Sequence, residues 1–258
     1  AALSAPRLDL EDLDRLTSGY VLTGSAYDNL LGHLGTTYRG VLREVQLRLV
    51  DTAPSGLAAT VVEPVDPLFL DPAARFYADG EINAEALSPT RIPVRATGAK
   101  KSDDPLGTVT VRYSYLPPGF QDGPERKARL AIMKESNGLL MLRAGRQLDV
   151  VRTTPKGSGI VIGQTYDRNW GCEIDFPPAL DEEFGVTVNK QQVSLSDRMW
   201  SILRDHGVFS AVHVLQRRYA DEAKERRALK EREAESEKAS EAVAKKAAKH
   251  MTRKRARK

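Results

Sequence analysis

The sequence predicts an α+β body followed by a long, charged C-terminal helix. Three observations carry that expectation. GTVTVRYSYLP (107–117) alternates Val109, Val111, Tyr113 and Tyr115 at the period of a half-buried strand. Val208, Phe209, Val212, Leu215 and Tyr219 recur at helical spacing, so that stretch should dock on the body. Past Leu229 the chain keeps helix-forming residues and oppositely charged neighbours but almost no large apolar side chain, so the docked helix should run on as a solvated one.

In chain order, PRLDLEDLDRL (6–16) reads as a helix-like or strand-end lead-in. SAYDNLLGHLGTTYRGVL repeats Tyr27, Leu30, Leu31, Leu34, Tyr38 and Leu42 at helical spacing, which predicts a helix despite Gly32 and Gly35. REVQLRLVD alternates Val45, Leu47 and Leu49 as a half-buried strand does. Prolines 64, 67 and 72 confine EPVDPLFLDP to extended and turn conformations. Residues 73–104 read as an excursion of loops around one or two short strands. After the alternating 107–117 stretch, GLLMLRAGRQLDVV and GCEIDF give further strand signal, with AGR turn-forming, and Arg168, Trp170 and Cys172 read as core and edge residues there. PPALDEEFG predicts a short helix with proline in its first turn and a stop at Gly185. Its acids Asp181, Glu182 and Glu183 then complement the helix dipole. A helix through Leu195, Met199, Ile202 and Leu203, a break at Gly207 and the final helix complete the order. The charge-laced part of that helix suggests pairs such as Glu222 with Arg226.

The charge is unevenly distributed. Residues 245–258, KKAAKHMTRKRARK, hold eight Lys/Arg and no acid, which leaves 31 basic against 35 acidic residues in 1–244. A mildly acidic body with a basic tail points to a polyanionic partner, with nucleic acid the usual one inside a cell and DNA the expected one here. The candidate contacts are Lys245, Lys246, Lys249, Arg253, Lys254, Arg255, Arg257 and Lys258. The lone cysteine, Cys172, excludes an internal disulfide and a cysteine-based zinc cluster. No apolar run reaches the roughly 20 residues of a spanning helix, and the first residues are acidic where a signal peptide is basic and apolar. These features predict a cytoplasmic protein with no membrane contact.

Self-contained catalysis finds little support. The chain has no H-E-x-x-H, Walker or G-x-S-x-G segment, and His33, His206, His213 and His250 are too scattered for a ligand set, so no residue is assigned to a metal. GSGIVIG (157–163) lacks the spacing of a phosphate-cradling loop and reads as a connection between strands. One segment is harder to dismiss. In GVTVNKQQV (185–193) Lys190 stands between Asn189 and Gln191 in a short loop, where nothing in a packed core needs it.

The order EPVDPLFLD, NGLLMLRAGRQLD, RNWGCEIDFPPALDEEFGVTVNKQQV and a following amphipathic helix resembles the transducer domain of GHKL ATPases, closest to bacterial MORC-like, histidine kinase-like members. TVNKQQV is similar to the T-x-N-K-Q-type segment that precedes a helix in MORC proteins, and the likeness spans about residues 8–220, strongest over 137–206. The resemblance implies a ribosomal-S5-like domain at 17–206, a helical arm at 207–244, a basic tail at 245–258, and a remnant of the ATP-binding domain at 1–16. It also implies that Lys190 reaches the γ-phosphate of ATP, with Asn189 and Gln191 as neutral donors beside it. The E-x-x-x-N, D-x-G-x-G and glycine-rich lid segments of the ATP-binding domain are missing; AYDNLLGHLG has Asp28 and Asn29 without the required acid. ATP and Mg2+ are therefore expected only through a partner GHKL domain or subunit, with no hydrolysis by this chain alone and with ATP-dependent homodimerisation as the family's habit. The competing reading is a non-catalytic nucleic-acid-binding or scaffold protein that uses the basic tail.

Overall fold

The computed structural model describes residues 25–51, 58–77, 82–100, 102–120, 122, 126–155, 168–186 and 193–255, with backbone alone for 25–28, 50, 51, 58 and 242–255. It shows a mixed α+β body with a long C-terminal helix. The elements are α1 (Ser25–Thr37), β1 (Arg48–Asp51), β2 (Ala58–Val61), β3 (Glu85–Ala86), β4 (Thr90–Val94), β5 (Gly107–Tyr115), α2 (Arg126–Glu135), β6 (Leu139–Arg143), β7 (Arg146–Val151), β8 (Trp170–Phe176), α3 (Asp197–Asp205) and α4 (Val208–Arg255).

β5, the longest strand, centres a six-stranded mixed sheet in the order β3-β5-β8-β6-β7, with β4 also on β5. β5 runs antiparallel to β3, β4 and β8, whereas β6 and β8 are parallel. β6 and β7 form a hairpin across Ala144 and Gly145, both at positive φ, as a two-residue primed turn requires. The predicted GLLMLRAGRQLDVV strand is thus two strands folded at AGR. β1 and β2 make a separate antiparallel pair. Its predicted inward residue Val45 precedes the strand and is exposed, because Val41 and Val45 belong to a helical turn that follows α1.

The predicted alternation of β5 is borne out: Val109, Val111, Tyr113 and Tyr115 are all buried on one sheet face. They pack with Ile92, Val94, Leu139, Met141, Cys172 and Ile174 against Met199, Trp200 and Leu203 of α3 and Val208, Phe209, Val212 and Leu215 of α4. Full burial of a side chain of this kind contributes about 1.5 to 3 kcal/mol, so this face is the main source of stability. On the opposite face Leu140 and Leu142 pack on Leu68. A third cluster of Phe69, Leu116, Phe120 and Met133 closes the end of the sheet near α2.

That second face is also held by charge. Arg39, just past α1, donates to Glu173 Oε2 at 2.6 Å and to Gln147 Oε1 at 2.7 Å, and Arg112 pairs with the other Glu173 oxygen. Asp66 stands beside Arg39 and accepts from the amides of Leu68, Leu70 and Asp71, which folds the 66–71 turn onto the sheet. α1 reaches this position because Gly35 has no Cβ: one there would run into the Glu63 carbonyl oxygen.

Candidate functional site

The sequence singles out Lys190, Asn189 and Gln191, and all three fall in 187–192, outside the described residues. The structure does describe both ends of that segment. Phe184 is fully buried and stacks on Phe176 with ring centroids 3.8 Å apart. Gly185 follows at φ +56 and donates its amide to Glu182 O, while Val186 N donates to Asp181 O. On the return side Ser194 N donates to Phe184 O at 3.1 Å and Val193 N to Asp149 Oδ2 of β7 at 3.2 Å. Departure and return are therefore bonded to each other and anchored in the core. A Cβ on Gly185 would collide with the Ser194 carbonyl oxygen, so this closure requires glycine.

The acids at 181–183 differ from expectation. Only Pro178–Leu180 forms a short 3-10 turn, and Asp181 and Glu183 make specific pairs instead of complementing a helix dipole. Asp181 takes both arms of Arg143 at 2.6 and 2.8 Å, a bond that raises the arginine's pKa, and Glu183 pairs with Arg198 of α3. Arg198 also donates to the Arg95 carbonyl oxygen. The fork geometry of the Arg143 pair fixes orientation as well as charge. These pairs clamp the 181–186 turn between β6 and α3.

From Val193 the chain passes directly into α3 and then α4. Ser196 caps α3 by accepting from Met199 N, and Gly207 at φ +77 turns the chain into α4. Trp200 and Phe209 lie 6.0 Å apart across that corner. The predicted apolar stripe is borne out, with Val208, Phe209, Val212 and Leu215 buried. Beyond it the contacts become polar. Tyr115 donates its hydroxyl to Glu222 Oε2 at 2.7 Å, and Arg218 lies over the Tyr115 ring at 4.0 Å while pairing with Glu85 and Glu222. Arg226 pairs with Asp122 at 2.7 Å, not with Glu222. The helical i,i+4 pair fails because both side chains have partners on the body.

From Arg227 to Glu241 every side chain is exposed, and the helix continues to Arg255. At about 1.5 Å per residue, α4 is about 72 Å long. Lys245, Lys246, Lys249, Arg253, Lys254 and Arg255 lie on this helix by backbone, and Arg257 and Lys258 lie outside the described residues. GSGIVIG (157–163) is outside them as well.

Titratable groups away from these elements are structural. For Glu173, burial works to raise the pKa, but Arg39 and Arg112 outweigh it and hold the carboxyl below its ordinary range. For Asp175, two residues on, burial dominates and the pKa is raised. Burial pushes Tyr113 up to about 12 and moves the Cys172 thiol up as well, so Cys172 packs as a small apolar group. Among the described residues no group of three or more His, Cys, Asp or Glu is arranged to hold a metal ion. None of their helices is long and apolar enough to cross a membrane.

No protein-family model, curated protein or solved structure matches this chain.

Proposed function

We propose that this chain is the transducer part of a GHKL-type ATPase, with an S5-like body, in which Lys190 senses the terminal phosphate of ATP held by a partner domain. The observation that carries the proposal is the closed base of the Lys190 segment, where Ser194 bonds to Phe184 and the returning chain runs straight into α3 and the α4 arm. A segment held at both ends in this way and joined to a lever can turn a local contact into a displacement.

The donor chemistry fits a phosphate and not a metal. Asn189, Lys190 and Gln191 offer one ammonium and two amides, and the segment carries no carboxylate for Mg2+. The partner domain therefore holds ATP, Mg2+ and the general base. Lys190 gives a compact positive charge to the terminal phosphate and loses its counter-ion when that phosphate is gone. Phe184, Gly185 and Ser194 keep the ends of the segment in place, and α3 relays its movement to α4.

The basic end of α4 supports a second element of the reading, DNA binding. The exposed helix carries the Lys/Arg-rich stretch away from the mildly acidic body, where it meets a phosphate backbone without self-repulsion. A scaffold that binds nucleic acid without nucleotide sensing uses the same helix but has no need of Lys190.

The test is ATP turnover by the chain mixed with a GHKL ATP-binding domain encoded beside it, for wild type and Lys190→Ala. Turnover only in the mixture, with a loss of about a hundredfold in the variant, supports the sensor. Equal turnover with and without Lys190 overturns it, and DNA binding that survives that result leaves the scaffold reading.

A further inference from the structure

Between residues 219–230 of α4 and the Leu116–Phe120 turn lies a cleft, partly open to solvent, with a volume of about 200 Å³. Its lining includes none of the described residues that flank 187–192, and it serves no step of the nucleotide reading. Its floor is apolar, formed by Leu116, Phe120 and Met133, and Tyr219 and Ala223 of α4 form the facing wall. Its rim is cationic, with Arg226, Arg227 and Lys230 against the single carboxylate of Asp122 among the described lining residues.

Size and charge together define the occupant. The volume of the cleft gives room for one aromatic ring with a small substituent over the apolar floor. Among the described residues Arg227 and Lys230 pair with no carboxylate, and Arg226 pairs only with Asp122, whose side chain is 60% exposed. Exposed pairs of that kind contribute about 0 to 1 kcal/mol, so Asp122 offsets the cationic rim only weakly. The rim is also shaped for Arg226. Gly119 sits at φ +102, and a Cβ there would lie 2.6 Å from Arg226 Nη1 and 2.7 Å from Ile82 Cδ1.

We propose that this cleft binds a small aromatic acid, with its ring on Leu116, Phe120 and Met133 and its carboxylate or phosphate group on Arg227 and Lys230. Such a ligand bridges arm and body at the level where the apolar stripe of α4 ends. It thereby fixes the angle at which the exposed helix leaves the body.

Calorimetric titration of phenyl phosphate and of benzoate into the full chain at about 0.15 M salt tests this. One-to-one binding of either acid is expected, and the tighter of the two identifies the acid group. Ala223→Leu, which fills the wall, and Lys230→Glu, which reverses an exposed rim charge, should each weaken binding at least about tenfold. Inorganic phosphate and phenol should each bind at least about tenfold more weakly than phenyl phosphate. Inorganic phosphate binding as well as phenyl phosphate overturns the proposal, because the anion then sits on basic surface such as the tail. Affinity unchanged in Lys230→Glu, or no saturable binding of either acid at millimolar concentration, overturns it too. The exposed Lys230 keeps the test decisive should Ala223→Leu disturb folding.

Discussion

Arg39 and Glu173 meet at 2.6 Å across 134 residues of sequence, and neither side chain is more than 5% exposed. The bond joins the end of α1 to the central sheet and is completed by Arg112 on the second carboxylate oxygen. Removing the acid strands a buried guanidinium. Glu173→Gln should therefore cost about 3 to 5 kcal/mol in urea unfolding. The pH dependence has a definite sign. Because the folded pKa of Glu173 is depressed, its contribution is complete above the ordinary carboxylate range and is lost as pH falls through the lower folded value. The variant should lack that part of the acid limb.

Asp175, on the same strand and face, should behave oppositely. Burial raises its pKa, and Glu173 adds repulsion while Gly145 N donates to it at 3.1 Å. Its ionised form is thus a burden on the fold at neutral pH, present above the raised folded pKa and absent below the unfolded one. Asn keeps an acceptor for Gly145 and removes the charge. Asp175→Asn should unfold at a higher urea midpoint than wild type at pH 7, with the gain vanishing at about pH 3. A lower midpoint at pH 7 would show that the carboxylate has a further role.

The contrast between these two acids illustrates what the sequence could and could not convey. Strand β5 was legible because every second residue is large and apolar and the partner face is one continuous core. The α4 stripe was legible for the same reason. Helix α2 was missed since its two buried residues are Arg129 and Met133, and an inward arginine erases the apolar pattern. Arg129 is buried over the Phe120 ring and donates to the Phe120 carbonyl oxygen, a partner far from it in any local pattern. β2 was missed because Ala58–Val61 is too short to display a period. Long-range charge pairs were illegible in principle: Glu222 and Arg226 match a helical pairing rule, but Tyr115, Arg218 and Asp122 claim them first. Of the candidate site, the Gly185 stop was readable and the Ser194 carbonyl that demands it was not.

Gly185 gives the next prediction. An alanine at φ +56 costs about 1 to 2 kcal/mol in backbone strain, before counting its clash with Ser194. Gly185→Ala should lower the unfolding midpoint and break the Phe184–Ser194 closure. Trypsin should then cut after Lys190 faster in the variant than in wild type. Equal cutting rates would mean that closure does not control the segment.

The arm latch separates a buried from an exposed contribution. Tyr115 is fully buried, and Tyr115→Phe deletes its bond to Glu222, which should cost about 1 to 2 kcal/mol with little dependence on salt. Arg218 is 40% exposed, and Arg218→Ala should cost about 1 kcal/mol at low salt and less at about 1 M. Tyr115 also carries a pH signature. Burial raises its pKa, and the Glu222 bond adds to this, so its contribution is complete below the ordinary tyrosine pKa and lost only as pH rises through the higher folded value. Absorbance titration should show one tyrosine ionising later in wild type than any does in Tyr115→Phe. Coincident titrations, or equal salt dependence of the two variants, would refute this division.

DNA affinity should follow the end of α4 and not the body. The eight Lys/Arg of 245–258 are the densest basic stretch, and the preceding 1–244 carry an excess of acid. If all eight neutralise phosphates, the logarithm of affinity should fall against the logarithm of salt with a slope of about −7. Truncation after Ala244 should abolish most binding and flatten that slope, whereas Lys190→Ala should leave both unchanged. Because the helix reaches Arg255 as one piece, insertion of a proline at Ala239 should weaken binding far less than truncation does if only charge matters. If the rod itself positions the basic end, the proline variant should instead lose affinity comparably. Fluorescence anisotropy with a short duplex at several salt concentrations reads all of these variants. A truncated chain that binds as tightly as the full one would place the DNA surface elsewhere.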